Sequence, residues 1–428
     1  MAISYVLAAL ALLPVAHGFS YSGFGRRASF ARKSANGLRS VKMPKTRASA
    51  LPTLKPDEAS FTGITSVGSP VVHRYMRDEG EEWKMWFQGR DAGIEPEIVS
   101  LSTGRIFRAT STDGFTWEKE EGVGTFGSSL DVNIDEWWGF DTAHVGLGDV
   151  RLGDSGKVMT TGGGVYTMYY FGGTYETGGD GQDDKVAGLD LRVGVALSQD
   201  GMNWSRLEGE HPTGCALDIG SGDEGGPQSS LIGWPQVVNH QERVFRMYFT
   251  TFDSTSQRYS IGLATSEDSF KWSPLGLVFG GSGGQGESGS ASFDCAGVAR
   301  AQVLKDMCAE GWPAGGRSKD LPAVVPYTMF YEGIGSDGRS SIGFATSSDG
   351  VKWTAGNEGK ALLEPPKDDD ESAWEVESVG SPFVMNMGGG ALRMYYSGTS
   401  KDGVSSIGCA ECDDFIQDPS NWRRVSAS

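Results

Sequence analysis

The stretch YTMFYEGIGSDGRSSIGFATSSDGVKW, from Tyr327 to Trp353, decides the fold because versions of it occur five times along the chain. It begins as an aromatic strand containing a Met, passes through a turn rich in Gly and Ser, and continues as an apolar strand. A Ser-x-Asp-Gly turn then leads to Trp353 at the start of a last strand. Short strand-forming runs bounded by Gly, Ser and Asp predict antiparallel hairpins.

The repeats predict the overall architecture. Successive terminal tryptophans are 87, 68, 81 and 69 residues apart, and a further apolar strand precedes each copy. Units of four strands at this period predict an all-β, five-bladed β-propeller of four-stranded antiparallel blades, with the first strands around a central channel. We expect the repeated Trp and Met-aromatic positions to pack between blades. The predicted blades span about residues 62–120, 138–208, 228–277, 291–356 and 372–424.

The Ser-x-Asp-Gly turns have a backbone explanation. Gly tolerates positive φ, and Asp can accept hydrogen bonds from its own backbone. We therefore interpret the repeats as structural and look for chemistry elsewhere.

The first 56 residues differ in composition from the rest. Residues 1–18 contain an apolar run that ends in Ala16-His17-Gly18, as a secretory signal peptide does. Residues 19–56 are rich in Arg, Lys and Ser and contain no acidic residue, which is typical of transit peptides. This two-part leader resembles the presequences of complex algal plastids. It predicts a plastid protein whose folded domain spans 57–428, with a secreted protein carrying a basic pro-segment as the alternative.

The charge distribution restricts the partners. Nine of the 37 basic residues and none of the 55 acidic residues precede Asp57, which leaves a net charge of −27 on the remainder. Such a surface repels phosphate backbones and anionic membranes. We therefore expect no nucleic-acid or membrane partner for the mature chain, and a neutral ligand, a cation or a basic protein fits better.

The five cysteines do not form the pattern of a secreted disulfide framework. Cys409 and Cys412 form a C-x-x-C, but residues three apart on a strand point to opposite faces. No second cysteine pair or histidine cluster completes a zinc site. We predict neither a metal site nor a cofactor from these residues.

A family resemblance follows from the repeated strands. Strands of the M-Y-Y-x-G kind followed by I-G-x-A-T-S-x-D-G-x-x-W, over residues 66–422, resemble the five-bladed glycoside hydrolases of families 43, 32 and 68, the arabinanase, levansucrase and invertase superfamily. The resemblance implies hydrolysis or transfer of furanosides and related sugars at the channel mouth. One carboxyl group would act as general acid and a second as nucleophile or base. Some relatives hold an axial cation, so the resemblance allows a single calcium ion.

The sequence departs from the family at the expected catalytic positions. In the family these acids commonly lie on the innermost strands, often just before a Pro. The corresponding residues here are Ser69, Leu147, Trp234, Arg300 and Ser381. Because none is acidic, the family triad cannot be transferred. Either hydrolysis has been lost or the acids come from elsewhere on the rim.

One candidate set comes from aligning the first strands. Asp141, Asp294 and Glu375 each follow an aromatic residue and stand four residues before the aligned valine. Equivalent positions would converge at one channel mouth, and repulsion between them would provide an acid and a base. The alternative is that each acid caps its strand by bonding backbone amides. Glu332 is the alternative acid, because the other units have Gln, Phe, Thr or Ser there, although a solvated Glu would look the same.

Four residues are candidates for ligand binding. Asp149 and His144 are predicted beside the channel, and His144 is either a ligand for an axial cation or an ordinary hydrogen-bonded residue. Arg300 would bind an anionic group or neutralise nearby aspartates, and Trp234 could stack on a sugar. We expect a carbohydrate-active protein with no obligate protein partner, most similar to a family 43 glycosidase. The alternative is a catalytically silent lectin or interaction scaffold.

Overall fold

The structure is a computed structural model of the 428-residue chain. The predicted leader lies outside the described residues except for its last seven, and Cys308 also lies outside them. The described ranges are 50–56, 62–91, 103–153, 158–159, 164–175, 177–178, 186–187, 190–218, 231–241, 243–253, 256, 258–282, 292–305, 327–366 and 374–426.

The described secondary structure consists of strands and two short 3-10 turns, Thr125–Gly127 and Asn357–Gly359. The strands are β1 Ser66–Arg77, β2 Gly80–Arg90, β3 Gly104–Ser111, β4 Glu118–Lys119, β5 His144–Leu152, β6 Val158–Met159, β7 Tyr166–Gly173, β8 Thr177–Gly178, β9 Val186–Ala187, β10 Leu191–Ser198, β11 Ser205–Leu207, β12 Ile232–Gln241, β13 Val244–Asp253, β14 Arg258–Ser266, β15 Ser273–Phe279, β16 Gly297–Lys305, β17 Tyr327–Ile334, β18 Ser340–Ser347, β19 Thr354–Ala355, β20 Ser378–Gly388, β21 Ala391–Thr399, β22 Ser405–Cys412 and β23 Arg423–Val425.

These strands confirm the predicted all-β class and the four-stranded antiparallel sheets. The sheets follow the five sequence repeats, and we call them units 1 to 5. Units 3 and 4 are joined by one parallel residue pair, Tyr259 with Gly297. No helix in the described ranges is long and apolar enough to cross a membrane. The main strands of the units, in order, are β1–β4; β5, β7, β10 and β11; β12–β15; β16–β19; and β20–β23.

The first strand of every unit contains a β-bulge near its middle. A bulge changes the direction in which neighbouring side chains point. In four units, the residue at the bulge has a positive φ of 46° to 50° although it is not glycine. Such strained backbone is often found at functional sites. These residues are Ser69, Trp234, Arg300 and Ser381.

Four units end their third strand in the same hydrogen-bonded turn. In unit 4, the Oγ of Ser347 donates to Oδ1 of Asp349 at 3.0 Å and accepts from the N–H of Gly350 at 2.8 Å. The same Oδ1 accepts from the N–H groups of Val351 and Lys352, and Gly350 has a φ of 71°. The predicted roles of Asp and Gly are confirmed. The equivalent turns are at residues 111–114, 198–201 and 266–269.

Each of these turns also accepts a hydrogen bond from the preceding unit. The donor is the aromatic residue that follows the repeated Met of the second strand. Tyr395 of unit 5 donates to the carbonyl of Gly114 in unit 1 at 2.7 Å, so the last and first units are in contact. The other donor and acceptor pairs are Trp86 with Gly201 (2.7 Å), Tyr169 with Ser269 (3.2 Å) and Tyr248 with Gly350 (2.8 Å).

Between units 4 and 5, apolar contacts replace this hydrogen bond. Phe330 stands where the other units have a hydroxyl or an indole N–H. Unit 5, in turn, has a degenerate version of the turn. The ring of Phe330 lies 5.3 Å from that of Phe415 and 6.3 Å from that of Trp422. At this junction the donor of unit 4 and the accepting turn of unit 5 are both missing, and contacts between aromatic rings take the place of their hydrogen bond.

Residues 50–56, predicted to belong to the leader, pack on unit 5. Leu54 is buried and exchanges backbone hydrogen bonds with Ile407 of β22. In unit 5 the N-terminal segment thus provides a backbone bridge to the third strand. In three other units a residue that follows the fourth strand provides this bridge. The folded part begins before the predicted boundary at residue 57. The corresponding residues in units 1, 2 and 4 are Leu130, Leu217 and Leu363.

Candidate functional site

A pocket lies against the first strands, and all five units contribute to it. We call it the central pocket. The empty space that it encloses is about 390 Å³ when the part open to solvent is included. Its polar and aromatic lining residues are Ser69, Asp149, Trp234, Gln236, Arg300, Gln302, Ser381 and Phe383.

The bulges place the varying residues of the repeat in this pocket. Each unit's bulge residue lines it, and the side chains there are Ser, Leu, Trp, Arg and Ser in chain order. These are the positions that the family resemblance assigned to catalytic acids. The structure places these five residues together around one pocket.

Arg300 pairs with Glu332 in the wall of the pocket. Its Nη1 lies 2.9 and 2.8 Å from the two carboxylate oxygens, and both side chains are buried. Glu332 also accepts from the N–H of Ser381 in unit 5 and from the hydroxyl of Ser340. Arg300 therefore pairs with Glu332, not with the aspartates considered from sequence. Glu332 lies behind the pocket lining as the partner of Arg300, not as a solvated side chain.

The position of Glu332 has a repeated function. In units 3 and 5, Thr250 and Ser397 accept the N–H of the next unit's bulge residue, as Glu332 accepts that of Ser381. Glu332 is unusual only in also carrying a charge, which compensates Arg300.

Trp234 is enclosed by neighbouring side chains. The guanidinium of Arg300 lies 4.6 Å from its ring centroid, and the ring of Phe171 also lies 4.6 Å away. Only 6% of Trp234 is exposed. An open stacking face for a sugar, as predicted from sequence, does not fit this arrangement. Trp234 lines the pocket while Arg300 covers its ring.

Side chain–backbone hydrogen bonds connect the first strands of units 2 to 5. Oδ2 of Asp149 accepts from the N–H of Val237 in unit 3, at 3.2 Å. Gln236 and Gln302 each bond both backbone groups of a valine in the following unit. Gln236 and Gln302 were missed from sequence. The available signal was their position two residues after each bulge, where alternation returns the side chain to the same face.

Asp141, Asp294 and Glu375 form three separate acid clusters, each consisting of the acid and its hydrogen-bond partners. Asp141 accepts from the hydroxyl of Tyr170 at 2.9 Å and from Nε of Arg206 at 2.7 Å. Because Arg206 is on the outermost strand β11, the carboxylate points across its own sheet. Burial, and then Asp141, raises the pKa of Tyr170 well above its usual value.

The Glu375 cluster repeats this design, whereas the Asp294 cluster keeps the tyrosine and has serine groups in place of the arginine. Glu375 accepts from Tyr396 and from Arg424 of the outermost strand, both at 2.7 Å. Asp294 accepts from Tyr331 at 3.0 Å and from the backbone and hydroxyl of Ser282. None of the three acids lines the central pocket. The arrangement fits the structural alternative, although tyrosine and arginine side chains supply most of the hydrogen bonds.

Glycines on the second strands make room for these acids. A Cβ added to Gly172 would lie 2.4 Å from Cβ of Asp141, and the equivalent contacts at Gly333 and Gly398 are 2.8 and 2.6 Å. Each acid therefore needs a glycine opposite it on the second strand. Its position is thus set by the packing of its own sheet.

His144 is fully buried at the start of β5, and the centroid of its ring lies 6.5 Å from that of Phe171. Within the described ranges, no group of three or more His, Cys, Asp or Glu side chains is placed to hold a metal ion. A cation ligand role for His144 therefore stays a prediction from the resemblance.

Cys409 and Cys412 are free and buried on β22. Burial raises the pKa of both thiols. A thiol held in its protonated form is a poor nucleophile and a poor metal ligand. The C-x-x-C pattern is therefore packing within unit 5.

Solved structures with the same fold are carbohydrate-active proteins. A protein named glycoside hydrolase is 16% identical with a TM-score of 0.57, over 89% of this chain and 93% of that one. A glycosyl hydrolase from Bacteroides ovatus is 16% identical with a TM-score of 0.52, over 90% and 95%. The β-1,2-mannobiose phosphorylase from Listeria innocua, in complex with β-1,2-mannobiose, is 13% identical with a TM-score of 0.53, over 84% and 94%.

These identities establish similarity of fold alone. The predicted resemblance to glycoside hydrolases is confirmed at that level. No protein-family model matches the chain, and the search of curated proteins gave no match.

Proposed function

We propose that the chain is a closed five-bladed propeller that binds a carbohydrate in its central pocket. Contacts between consecutive units, and between units 5 and 1, support the closed ring. The observation that carries the functional proposal is the pocket itself. It is formed by all five first strands, and its bulge positions carry Ser, Leu, Trp, Arg and Ser in chain order.

Binding is better supported than hydrolysis. Glycoside hydrolysis needs two carboxyl groups on either side of the scissile bond. Asp149 is the one carboxylate among the lining residues, and its two oxygens accept the N–H groups of Val150 and Val237. Glu332 is held by Arg300, Ser340 and Ser381. Both acids are therefore occupied by structural hydrogen bonds.

Hydrolysis by a family 43 type mechanism is the second candidate, and the shared fold of the glycoside hydrolases favours it. In that case Asp141, Asp294, Glu375 or Glu332 would have to reach a substrate from their present partners. Because each of these acids is held by ion pairs or hydrogen bonds to its present partners, such a site would need rearrangement.

A pocket-filling variant tests the binding proposal. Ser381→Trp places a large side chain in the pocket at a position whose equivalent in unit 3 is already tryptophan, so the backbone tolerates it. We expect binding of arabinose, xylose, galactose or fructose, measured by calorimetry, to be lost while the thermal transition is retained. The matched control is Ser348→Trp, the same substitution at an exposed turn residue outside the pocket lining. Loss of binding in both variants, or in neither, would contradict the site.

Hydrolysis is tested in parallel with chromogenic glycosides of the same sugars. The binding proposal predicts no turnover. Turnover that disappears in the Asp141→Asn, Asp294→Asn, Glu375→Gln variant, which keeps the size of the three side chains, with folding retained, would instead establish an enzyme with a relocated carboxylate site.

For localisation we propose the plastid, on the basis of the two-part leader, with secretion as the alternative. A fluorescent protein fused to the C-terminus would be expected in the plastid of algal cells. Removal of residues 19–49 should redirect it to the secretory route, and an unchanged location would contradict the proposal.

A further inference from the structure

The linkers that join consecutive units share a pattern of three backbone hydrogen bonds. After unit 1, the N–H groups of Ser129 and Leu130 both donate to the carbonyl of Ile106 on the third strand, at 2.8 and 3.2 Å. The N–H of Ile106 donates back to the carbonyl of Leu130 at 3.0 Å. The linkers after units 2 and 4 repeat the pattern, so each of the three is fastened to the third strand of the unit that it leaves. Their partners are Ala216 and Leu217 with Val193, and Leu362 and Leu363 with Ile342.

The N-terminal segment, residues 50–56, forms the same pattern on unit 5. The N–H groups of Thr53 and Leu54 donate to the carbonyl of Ile407 at 2.8 and 3.1 Å, and the N–H of Ile407 donates back to Leu54 at 2.8 Å. Leu54 is only 5% exposed. Residues 50–56 thus act as the linker of unit 5, although they precede unit 1 in the chain. They therefore belong to the repeating architecture and not to the leader.

The N-terminal segment also differs in sequence from the leader before it. Of the nine basic residues that precede Asp57, eight lie between Arg26 and Arg47, and Lys55 alone lies in the segment. The segment carries a leucine in the place where the three linkers do. The basic composition thus ends at Arg47, just upstream of the segment. The aligned stretches are SSLD at 128–131, CALD at 215–218, ALLE at 361–364 and PTLK at 52–55.

We infer that a second proteolytic cut, after removal of the signal peptide, lies N-terminal to Ala50 and leaves residues 50–56 in the mature protein. Proteolysis favours exposed chain whose backbone is neither buried nor hydrogen-bonded. The N-terminal segment is instead held at two points, because Nε1 of Trp374 donates to the carbonyl of Ala50 at 2.7 Å, upstream of the bonds of Leu54. A processing protease uses water to hydrolyse one peptide bond, so the released leader gains a carboxyl group and the mature chain gains an amino group. The inference holds for a transit peptide and for a basic pro-segment, and it does not depend on the ligand.

The first residue of the processed protein tests the inference directly. The full chain with a C-terminal affinity tag is produced in algal cells that have complex plastids, and the N-terminus of the purified protein is identified by mass spectrometry. We expect it to lie between residues 20 and 50. An N-terminus beyond Ala50 would overturn the inference, because part or all of the N-terminal segment would be lost. An N-terminus at or before Phe19 would also overturn it, because no second cut would have occurred.

Digestion of the unprocessed full chain with subtilisin tests whether the fold protects the N-terminal segment. We expect a stable product that keeps residues 50–56. Leu54→Asp removes the buried contact, and the segment should then be trimmed about tenfold faster, since cleavage follows the fraction of molecules in which the segment is detached. Leu51→Asp makes a matched change at a side chain that is 74% exposed and should leave the rate unchanged. Equal trimming of the two variants would overturn the inference. A wild-type product that begins beyond residue 56 would also overturn it, and this result does not require either variant to fold.

Discussion

The acid clusters and the central pocket belong to the same first strands, but they differ in what repeats. In the acid clusters, three units place a carboxylate against a tyrosine and a glycine of the second strand. In the pocket, the five bulge residues are nearly all different although their backbone is alike. A side chain that recurs at an equivalent position in several units indicates a role in packing. A side chain that differs from unit to unit indicates a candidate site. The catalytic candidates that were chosen because they repeat have tyrosine partners in the second strands and do not line the pocket.

The largest expected effect breaks an acid cluster. Asp141→Ala leaves Arg206 and Tyr170 without their partner in a largely buried place, and we expect a loss of about 3 kcal/mol in the free energy of unfolding. Sugar affinity of the protein that remains folded should not change. Urea unfolding combined with calorimetry measures both. A variant of wild-type stability that has lost ligand binding would show that the cluster is part of the site.

A slightly smaller loss of stability is expected when the contact of Leu54 with unit 5 is removed. Leu54→Ala removes a buried side chain from the N-terminal segment and should cost about 2 to 3 kcal/mol, as core truncations do. Leu51→Ala is the control because Leu51 is 74% exposed. Thermal unfolding of both variants measures the difference. Equal melting temperatures would mean that residues 50–56 do not contribute to the fold.

The junctions between units allow a finer comparison. Tyr248→Phe removes the hydroxyl that donates to the carbonyl of Gly350 and should cost about 1 kcal/mol. Phe330→Tyr is the reciprocal variant. It should gain nothing, because Phe415 and Trp422 surround that ring. If Phe330→Tyr stabilises the protein, the junction between units 4 and 5 lacks a hydrogen bond that its apolar contacts do not replace.

The smallest expected effect is on the stability of the fold at acid pH. Hydrogen bonds from the N–H groups of Lys352 and then Val351 lower the pKa of Asp349 from its ordinary 3.8 to about 2. Because the folded-state pKa is depressed, the stabilisation is present above pH 4 and is lost as the pH falls towards 2. Asp349→Asn should flatten the dependence of the melting temperature on pH in this window. Asp78→Asn, on the exposed turn after β1, is the control. Identical slopes for wild type and Asp349→Asn would contradict the assignment.

Much of the fold could be predicted from the sequence because its signals are local. Alternation of apolar residues, turn residues and the repeat period specified the strands and the Ser-x-Asp-Gly turns before any contact was known. The sequence also aligned Ser69, Leu147, Trp234, Arg300 and Ser381 as equivalent positions, but it did not predict that a bulge lies at each of them.

The tertiary structure alone decided which partners these residues have. Whether Asp141 faces a channel or Arg206, and whether Arg300 meets Asp294 or Glu332, depends on chain segments that are distant in sequence. The same holds for Leu54, whose bridge to Ile407 brings residues 50–56 next to unit 5 although the two are far apart in sequence. A sequence pattern specifies the face on which a side chain lies. The charge or hydroxyl that it meets there is set by the packing of one sheet against the next.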